Sequence, residues 1–256
     1  FTLIDRCLDN IKNFDIVIID NAGNRELKET IQKKYQISEY ILNKKNIGYA
    51  KAINQSIKLC SKEYIFVFQA DCVITLENIN KLLNAHKKYE NCFLVSPTYY
   101  DLNSKLTFNG RPLIEKNLSD EVLKLEGDTC VDNIVTAAYL FKKKDIINIG
   151  LFDENLFLYF TDNDFCRNVI NQKRSIIQVF NSTAIHSHGE SKVKNLFKKI
   201  FIRNYHYTHD ELYYYFKINK HQKIFDKLKK KIPNYIIKSF LNIFMLRFDK
   251  AIYYFA

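Results

Sequence analysis

The chain has 256 residues, of which 47% are apolar and 26% charged, a balance that is ordinary for a globular protein and excludes intrinsic disorder. No apolar run is long and uncharged enough to predict a transmembrane helix. The net charge of +11 arises entirely from residues 192–256, which hold 15 Lys or Arg and 4 Asp or Glu, because residues 1–191 hold 24 of each sign. The sequence therefore predicts a neutral domain over 1–191 and a basic, helical carboxyl-terminal region over 192–256.

Strands and helices alternate along the neutral domain. Short apolar runs rich in β-branched residues predict buried strands at 15–19, 64–68, 93–97, 134–141 and 175–180. Helices are predicted over 25–35, after a turn signal, and over 46–60, where apolar residues recur at helical spacing. This alternation predicts an α/β fold with a mostly parallel sheet flanked by helices.

Polar side chains follow several of the predicted strands. In a parallel sheet the ligand binds beyond the carboxyl ends of the strands, so these residues are expected to share one edge. They are Asp20, Asn21, Gln69, Asp71, His186 and His188. Each has a structural alternative, because an aspartate after a strand often forms a turn or caps a helix, and a histidine there can close the strand end.

Two carboxylates stand out at the predicted start of a helix. Asp162 and Asp164 directly follow an aromatic run in residues 150–168. Thr161 or Asp162 could be the helix N-cap, with Asp164 interacting with the helix dipole. Alternatively, one carboxylate is a general base. Both roles are compatible, because a helix amino terminus favours the ionised form of a carboxylate, and that form accepts protons.

The six cysteines contain no CxxC pair, and their spacing suits neither a zinc site nor a small disulfide framework. We therefore expect reduced thiols, most of them buried, in a cytosolic protein.

Four segments occur in an order that resembles the family 2 glycosyltransferases of GT-A (Rossmann-like) fold, especially their bacterial rhamnosyltransferase-like branch. The resemblance covers about residues 1–191. The segments are IIDNAGN at 18–24, NIGYAKAIN at 46–54, FQADCVI at 68–74, and GLFDENLFLYFTDNDFCR at 150–167 followed by IHSHGES at 185–191.

This resemblance implies an inverting transfer of a sugar from a nucleotide-sugar donor to a saccharide or lipid-linked acceptor in bacterial surface polysaccharide synthesis. It suggests rhamnose from a dTDP donor, with UDP-linked hexoses still open. It also implies Mg²⁺ or Mn²⁺ at the donor diphosphate, bound directly by Asp71, with His186 or His188 as a second contact to metal or diphosphate.

The resemblance assigns further roles by position. Asp162 matches the family's catalytic base, and Asp164 is the alternative. The donor contacts are assigned to Asp20, Asn21, Asn46, Gly48, Asn54 and Gln69, together with Asp71. For Asn54, capping or bridging a turn is an equally open role.

The chain departs from the family pattern in three places. Family members begin with a strand that contributes to the nucleotide pocket, whereas Phe1 is expected to lie inside the first helix, so the sequence as given is expected to lack that strand. Only one carboxylate, Asp71, is present where the family carries its metal-binding motif. Thr161 replaces an acidic residue before Asp162. These departures keep open a non-catalytic scaffold of the same fold.

The basic region, residues 192–256, also holds 16 Phe or Tyr. Helices are predicted over 196–207 and 223–248, with Pro233 breaking or starting a helix. These helices either pack on the catalytic domain or lie on an anionic membrane surface, and both can hold together. A cytoplasmic enzyme peripheral to the inner membrane face is therefore expected. Nucleic-acid binding is the rival for a basic, aromatic tail, but the neutral domain and the lack of a nucleic-acid-binding motif argue against it.

Overall fold

A computed structural model describes residues 3–108, 110–113, 126–187 and 195–256. The chain forms two compact units. The first comprises Phe1–Asp153 and Asp162–Gly189, and the second comprises Glu154–Thr161 and Glu190–Ala256. The sequence did not indicate that residues 154–161 belong with the carboxyl-terminal helices.

The first unit opens with a small parallel sheet and its helices. The elements are α1 (Leu3–Leu8), β1 (Val17–Asp20), α2 (Arg25–Lys34), β2 (Glu39–Leu42) and α3 (Tyr49–Leu59). β1 and β2 pair in parallel, with Asp20 opposite Leu42. The predicted strand at 15–19 and the helices at 25–35 and 46–60 are confirmed to within a few residues.

A seven-stranded sheet forms the centre of the first unit. Its elements are β3 (Tyr64–Phe68), β4 (Cys72–Ile74), β5 (Cys92–Tyr100), β6 (Leu106–Phe108), β7 (Thr129–Cys130), β8 (Ala138–Lys142) and β9 (Ser175–His186), with helices α4 (Leu76–Lys88), α5 (Lys143–Ile149) and α6 (Thr161–Asn171). The strand order is β3-β8-β5-β9-β4, with β6 beside β5 and β7 beside β9.

The α/β class is confirmed, and the strand directions are mixed. In the larger sheet β5 and β9 are parallel, whereas β3–β8, β5–β8, β4–β9, β5–β6 and β7–β9 are antiparallel. An apolar run shows that a strand is buried on both faces, but burial does not depend on strand direction. The sequence therefore predicted which segments are strands better than it predicted how they pair.

Helices cover both faces of this sheet, and each face has its own apolar core. Along β5, Leu94 packs into one cluster and Val95 into the other; along β8, Tyr139 and Leu140 divide in the same way. This is the period of two that a strand imposes on its side chains. The rigid sheet that results fixes the positions of the residues at its edges.

A cavity of about 590 Å³ lies between β1 and β3 and is lined by Val17, Phe66 and other residues of both strands. In the part of the chain that the structure describes, β1 pairs only with β2, and β3 pairs only with β8. An ion pair of 3.2 Å between Asp15 and Lys62 joins the segments that precede the two strands. The cavity therefore runs between two open strand edges, and the first described element is a helix, as the sequence predicts.

The second unit is helical. It contains α7 (Leu196–Lys217), α8 (His221–Phe244) and α9 (Phe248–Phe255). The predicted helices are confirmed, but the expectation that Pro233 breaks or starts a helix is wrong, because Pro233 lies inside α8. Proline removes one backbone hydrogen bond, and the packing of α8 against α7 and α9 offsets that loss. None of the described helices is both long enough and apolar enough to cross a membrane.

None of the six cysteines forms a disulfide, and four of them, Cys7, Cys72, Cys92 and Cys166, are buried. The prediction of mostly buried thiols is confirmed. Burial is the largest cause of the raised pKa of Cys7 and Cys92, each to about 12. These thiols are therefore protonated and unreactive at neutral pH.

Candidate functional site

The turn after β1 is built around Asp20. One carboxylate oxygen accepts hydrogen bonds from the backbone N–H of Ala22 (2.7 Å) and Gly23 (3.2 Å), and the other accepts from the Asn24 N–H (3.3 Å) and the Tyr40 hydroxyl (3.2 Å). Burial, and then the charge of Asp20, raise the pKa of Tyr40, so the phenol stays a donor. Asp20 thus has the turn-forming role that the sequence left open.

Asparagine side chains hold the loop before α3 against the end of β1. Asn21 donates from Nδ2 to the Gly48 carbonyl (3.1 Å) and accepts from Asn43 Nδ2 (2.9 Å). Asn46 Oδ1 accepts from the Gly48 N–H (2.9 Å). Gly48 has a φ of +90°, a conformation that other residues adopt only with strain. The structure therefore brings Asn21, Asn46 and Gly48 together, and it adds Asn43, which no sequence motif indicated.

Asn54 bridges two segments inside the first unit. It is 2% exposed. Its Nδ2 donates to the Phe152 carbonyl (2.9 Å), and its Oδ1 accepts from the Phe152 N–H (3.0 Å). The amide thus pairs with one backbone residue on both sides. Asn54 therefore neither caps a helix nor bridges a turn, the alternatives that the sequence left open, but joins α3 to a segment 98 residues further along the chain.

Asp71 and His186 meet where β4 pairs with β9. Cys72 lies opposite His186 in this antiparallel ladder. His186 Nε2 is 3.4 Å from Asp71 Oδ2, and both side chains are mostly buried. The N–H and the hydroxyl of Ser187 both donate to the Asp71 carbonyl, each at 3.0 Å. Two of the predicted metal-site residues are therefore adjacent, while His188 lies outside the described residues.

A carbonyl that the sequence did not single out connects the end of β3 to the start of α3. The Thr136 carbonyl accepts from Gln69 Nε2 (3.3 Å) and from the Tyr49 hydroxyl (2.8 Å). Burial is the largest cause of the raised pKa of Tyr49, and the nearby Asp162 carboxylate adds to it. Tyr49 directly follows Gly48, so its place in the 46–54 segment was the one signal that could have identified it.

Asp162 is the more accessible of the two candidate bases. Its Oδ1 accepts from the Asn163 N–H (3.0 Å) and from Asn163 Nδ2 (3.3 Å). Asp164 is only 1% exposed, whereas Asp162 is half-buried. Burial raises the pKa of Asp162 despite these hydrogen bonds. The backbone and side-chain donors at the helix amino terminus favour the ionised form, as the sequence predicts, but desolvation is the larger effect on the pKa of Asp162.

The expected capping of α6 also differs. The helix begins at Thr161, and the Thr161 hydroxyl donates to the Leu158 carbonyl (3.0 Å). Asp162 accepts from its immediate neighbour rather than from a residue two or three positions further on, which an N-cap would do.

The segment before α6 is held by α7 within the second unit. Asp210 is 0% exposed and accepts hydrogen bonds from the backbone N–H of Phe157, Leu158 and Tyr159, each at 2.9–3.1 Å. Phe160 packs against Tyr214 and its neighbours in a small aromatic core. The aromatic run that precedes Asp162 is therefore a packing segment with its own buried anchor.

The donor set at Asp71 and His186 can be tested against the implied metal. Among residues 3–108, 110–113, 126–187 and 195–256, no cluster of three or more His, Cys, Asp or Glu could hold an ion. A carboxylate oxygen and an imidazole nitrogen can still supply two ligands and leave positions for diphosphate oxygens. A carboxylate oxygen suits Mg²⁺ and Mn²⁺ alike, so the pair fits either ion.

Comparisons with known proteins bear on this site. The family model described as Glycosyl transferase family 2 matches residues 2–146, a range that includes Asp20, Gly48 and Asp71 but ends before Asp162 and His186. The chain is 25% identical over 188 residues to the dTDP-rhamnosyl transferase RfbF of Shigella flexneri. That alignment covers 72% of this chain and 63% of the relative, so the chain spans less than two thirds of the relative's length.

A solved structure shows the shared fold. It is a crystal structure of GalNAc-T7 with UDP, GalNAc and Mn²⁺, with a TM-score of 0.54 and 13% identity. The likeness covers 73% of this chain and 41% of that one. The GT-A-like fold predicted from the four segments is thereby confirmed.

Proposed function

Because the chain belongs to glycosyl transferase family 2, we propose that it transfers a sugar from a nucleotide-sugar donor to an acceptor hydroxyl, with inversion at the anomeric carbon. The observation that carries the proposal is the pairing of Asp71 with His186, at 3.4 Å, in the first unit. Asn21 and Gln69, which follow β1 and β3, line one common cavity. Both residues lie at the carboxyl ends of their strands, and ligands of α/β folds bind beyond such ends.

Asp71 and His186 would hold a divalent cation, Mg²⁺ or Mn²⁺, at the donor diphosphate. When bound, the cation would neutralise the negative charge on the leaving nucleoside diphosphate. Asp71 is held in place through its own backbone, because Ser187 donates twice to its carbonyl. The carboxylate can thus face a ligand without moving the chain.

Asp162 is proposed as the base. The acceptor oxygen attacks the anomeric carbon, its proton passes to the Asp162 carboxylate, and the bond from the anomeric carbon to the diphosphate oxygen breaks. One displacement inverts the centre and needs one base. The raised pKa of Asp162 strengthens it as a proton acceptor. Asp164 is the weaker candidate because it is 1% exposed.

The donor contacts are proposed for Asn21, Asn46, Gly48 and Gln69, which surround the ends of β1 and β3. Asp20 would act through the turn that its carboxylate builds. Asn54 would stabilise the site indirectly, because its hydrogen bond holds the backbone of Phe152 in place.

Rhamnose from a dTDP donor is the proposed transfer, supported by the similarity to the dTDP-rhamnosyl transferase of Shigella flexneri. The acceptor is proposed to be a saccharide or lipid-linked glycan of a bacterial surface polysaccharide. The enzyme would work in the cytoplasm, peripheral to the inner face of the cell membrane.

The test is nucleotide release from a panel of dTDP- and UDP-sugars, with Mn²⁺, with Mg²⁺ or with a chelator, and with acceptor lipid supplied. Asp71→Asn removes a ligand charge at constant size. Glu77→Gln, on a side chain that is 78% exposed, is the matched control. We expect metal-dependent release from one donor, lost in Asp71→Asn and kept in Glu77→Gln. If no nucleotide is released with any donor or metal, the proposal is contradicted and the non-catalytic scaffold is favoured.

A further inference from the structure

The second unit exposes an apolar stripe along the carboxyl-terminal half of α8 and the residue pair after it. Successive members on the helix are three or four residues apart or adjacent, which places them on one helical face. Phe244 is 89% exposed and Leu246 is 76% exposed. The apolar stripe consists of Ile237, Phe240, Leu241, Phe244 and Leu246.

This stripe is not the face that α8 uses for packing inside the unit. The packing face carries the buried Ser239, whose hydroxyl donates to the carbonyl of the buried Ala251 in α9 (3.1 Å). On a helix with 3.6 residues per turn, Ser239 lies roughly opposite Phe244. The stripe therefore faces away from the packing face, and more than half of each of its side chains is exposed.

Basic residues accompany the stripe. Between Asp226 and Asp249 the chain contains no acidic residue, and it contains six basic ones. They are Lys227, Lys229, Lys230, Lys231, Lys238 and Arg247. Lys230 precedes the stripe by two helical turns, and Arg247 directly follows it, and both are exposed. The surface thus combines apolar side chains with a cationic border.

The apolar surface continues into the interior of the unit. Phe240 also lines a cavity of about 850 Å³ among the three helices, together with Ile236, Ile243 and Phe255. Lys227 and Lys231 line the same cavity. Such a surface is complementary to a partner that has hydrocarbon chains next to negatively charged groups.

We propose that the apolar stripe and its basic border bind the surface of a bilayer that contains anionic phospholipids. The stripe enters the interface between headgroups and acyl chains, and the exposed Lys229, Lys230 and Arg247 contact the phosphates. Charge complementarity selects this occupant, because residues 192–256 carry the whole net charge of +11. The proposal deepens the membrane location in the proposed function, and it concerns binding rather than sugar transfer.

The chain contains no tryptophan, which allows a direct experiment. Phe244→Trp would place a single indole in the stripe, and Leu102→Trp would place one at a site that is 66% exposed in the first unit. Each variant of the full chain is mixed with vesicles of equal parts phosphatidylglycerol and phosphatidylcholine, or of phosphatidylcholine alone. We expect a blue shift of the emission only for Phe244→Trp with the anionic vesicles, and we expect salt to weaken it.

Co-sedimentation with the same vesicles gives a second reading. The double variant Phe244→Ser with Leu246→Ser is expected to bind anionic vesicles about tenfold more weakly than the parent chain. The matched control removes equal apolar character elsewhere, with Leu102→Ser and Ile147→Ser, and is expected to bind like the parent.

Three results would overturn the proposal. These are no emission shift with either vesicle, an equal shift with the zwitterionic vesicles, or a concentration-dependent shift without vesicles, which would assign the stripe to a second copy of the chain. The assay contains neither donor nor acceptor. A failed donor panel therefore leaves the membrane result standing, and a failed vesicle experiment leaves the transferase proposal standing.

Discussion

The two units stabilise themselves in different ways. The first unit is close to neutral, and its sheet lies between two apolar clusters, with amide side chains joining its loops to the strand ends. The second unit is basic and helical, and much of its apolar surface faces outward. Its short aromatic core is anchored by one buried carboxylate, Asp210. A rigid interior suits the placement of reacting groups, whereas an open amphipathic surface suits binding to a large, soft partner.

The largest expected effect falls on the second unit. Asp210→Ala would leave the backbone N–H groups of Phe157, Leu158 and Tyr159 without their acceptor. We expect the free energy of unfolding to fall by about 3–5 kcal/mol, because a buried, charged acceptor is lost. Urea denaturation measures the loss, and amide exchange at the three residues localises it. An exposed control, Asp226→Ala, should change little, and equal losses in both variants would contradict the role of Asp210.

A somewhat smaller loss is expected in the first unit from Asn54→Ala. The change removes both hydrogen bonds to Phe152 and leaves a buried backbone pair unsatisfied. We expect a loss of about 2–3 kcal/mol in the free energy of unfolding. Asn54→Asp separates shape from chemistry, because it keeps the acceptor for the Phe152 N–H but loses the donor to the carbonyl. A stable Asn54→Ala variant with unchanged donor affinity would refute the bridging role.

Gly48→Ala addresses the loop before α3. The φ of +90° at this position strains any side chain, so we expect a cost of about 1–3 kcal/mol. The loop carries Asn46 and faces Asn21, so donor affinity should fall as well. Ala50→Gly, in the first turn of α3, is a control for altered helix stability. Titration of the nucleotide diphosphate measures the affinity, and normal binding by Gly48→Ala would contradict the assignment.

The smallest effect concerns pH. The pKa of Asp162 is raised by burial, so the native state holds this proton more tightly than the unfolded state does. Its contribution to stability is therefore present below the unfolded pKa of about 3.9 and is lost as pH rises through the native pKa. Asp162→Asn should be slightly more stable than the parent chain at neutral pH and lose that advantage in acid. Urea denaturation at neutral pH and in acid measures the difference in unfolding free energy between the two chains. A parent chain that is more stable than Asp162→Asn at neutral pH would show that the fold stabilises the charged carboxylate.

The sequence predicted the strands β1, β3, β5, β8 and β9 and the helices α2, α3 and α6 because burial imposes a pattern on them. It did not predict the remaining, mostly short, strands or the helices α4 and α5. The strand at 64–68 was located to the residue. The sequence did not predict the direction of the strands, because the same apolar run occurs in parallel and in antiparallel pairs. Pro233 was misjudged for a related reason, since tertiary packing of α8 outweighs a local helix-breaking preference.

The candidate site was predictable at strand ends, although His186 is the last residue of β9 and not a residue beyond it, because β9 is longer than the predicted strand at 175–180. Asp71 and His186 come together as expected, because β4 and β9 are paired neighbours. The sequence did not predict the roles of Tyr49, Thr136 and Asn43, because these roles depend on which loops lie close together in the fold. The burial of Asp162, which raises its pKa, was not predicted, because burial cannot be inferred from position on a helix.

The central claim is that the Asp162 carboxylate takes the proton from the attacking hydroxyl group of the sugar acceptor. The most direct measurement is turnover by Asp162→Asn beside Asp164→Asn, with donor affinity determined for both. We predict that Asp162→Asn lowers kcat by about 10²–10⁴-fold while donor affinity stays near that of the parent chain. Asp164→Asn is predicted to keep much more of its activity. Undiminished turnover by Asp162→Asn, or a loss confined to Asp164→Asn, would contradict the account.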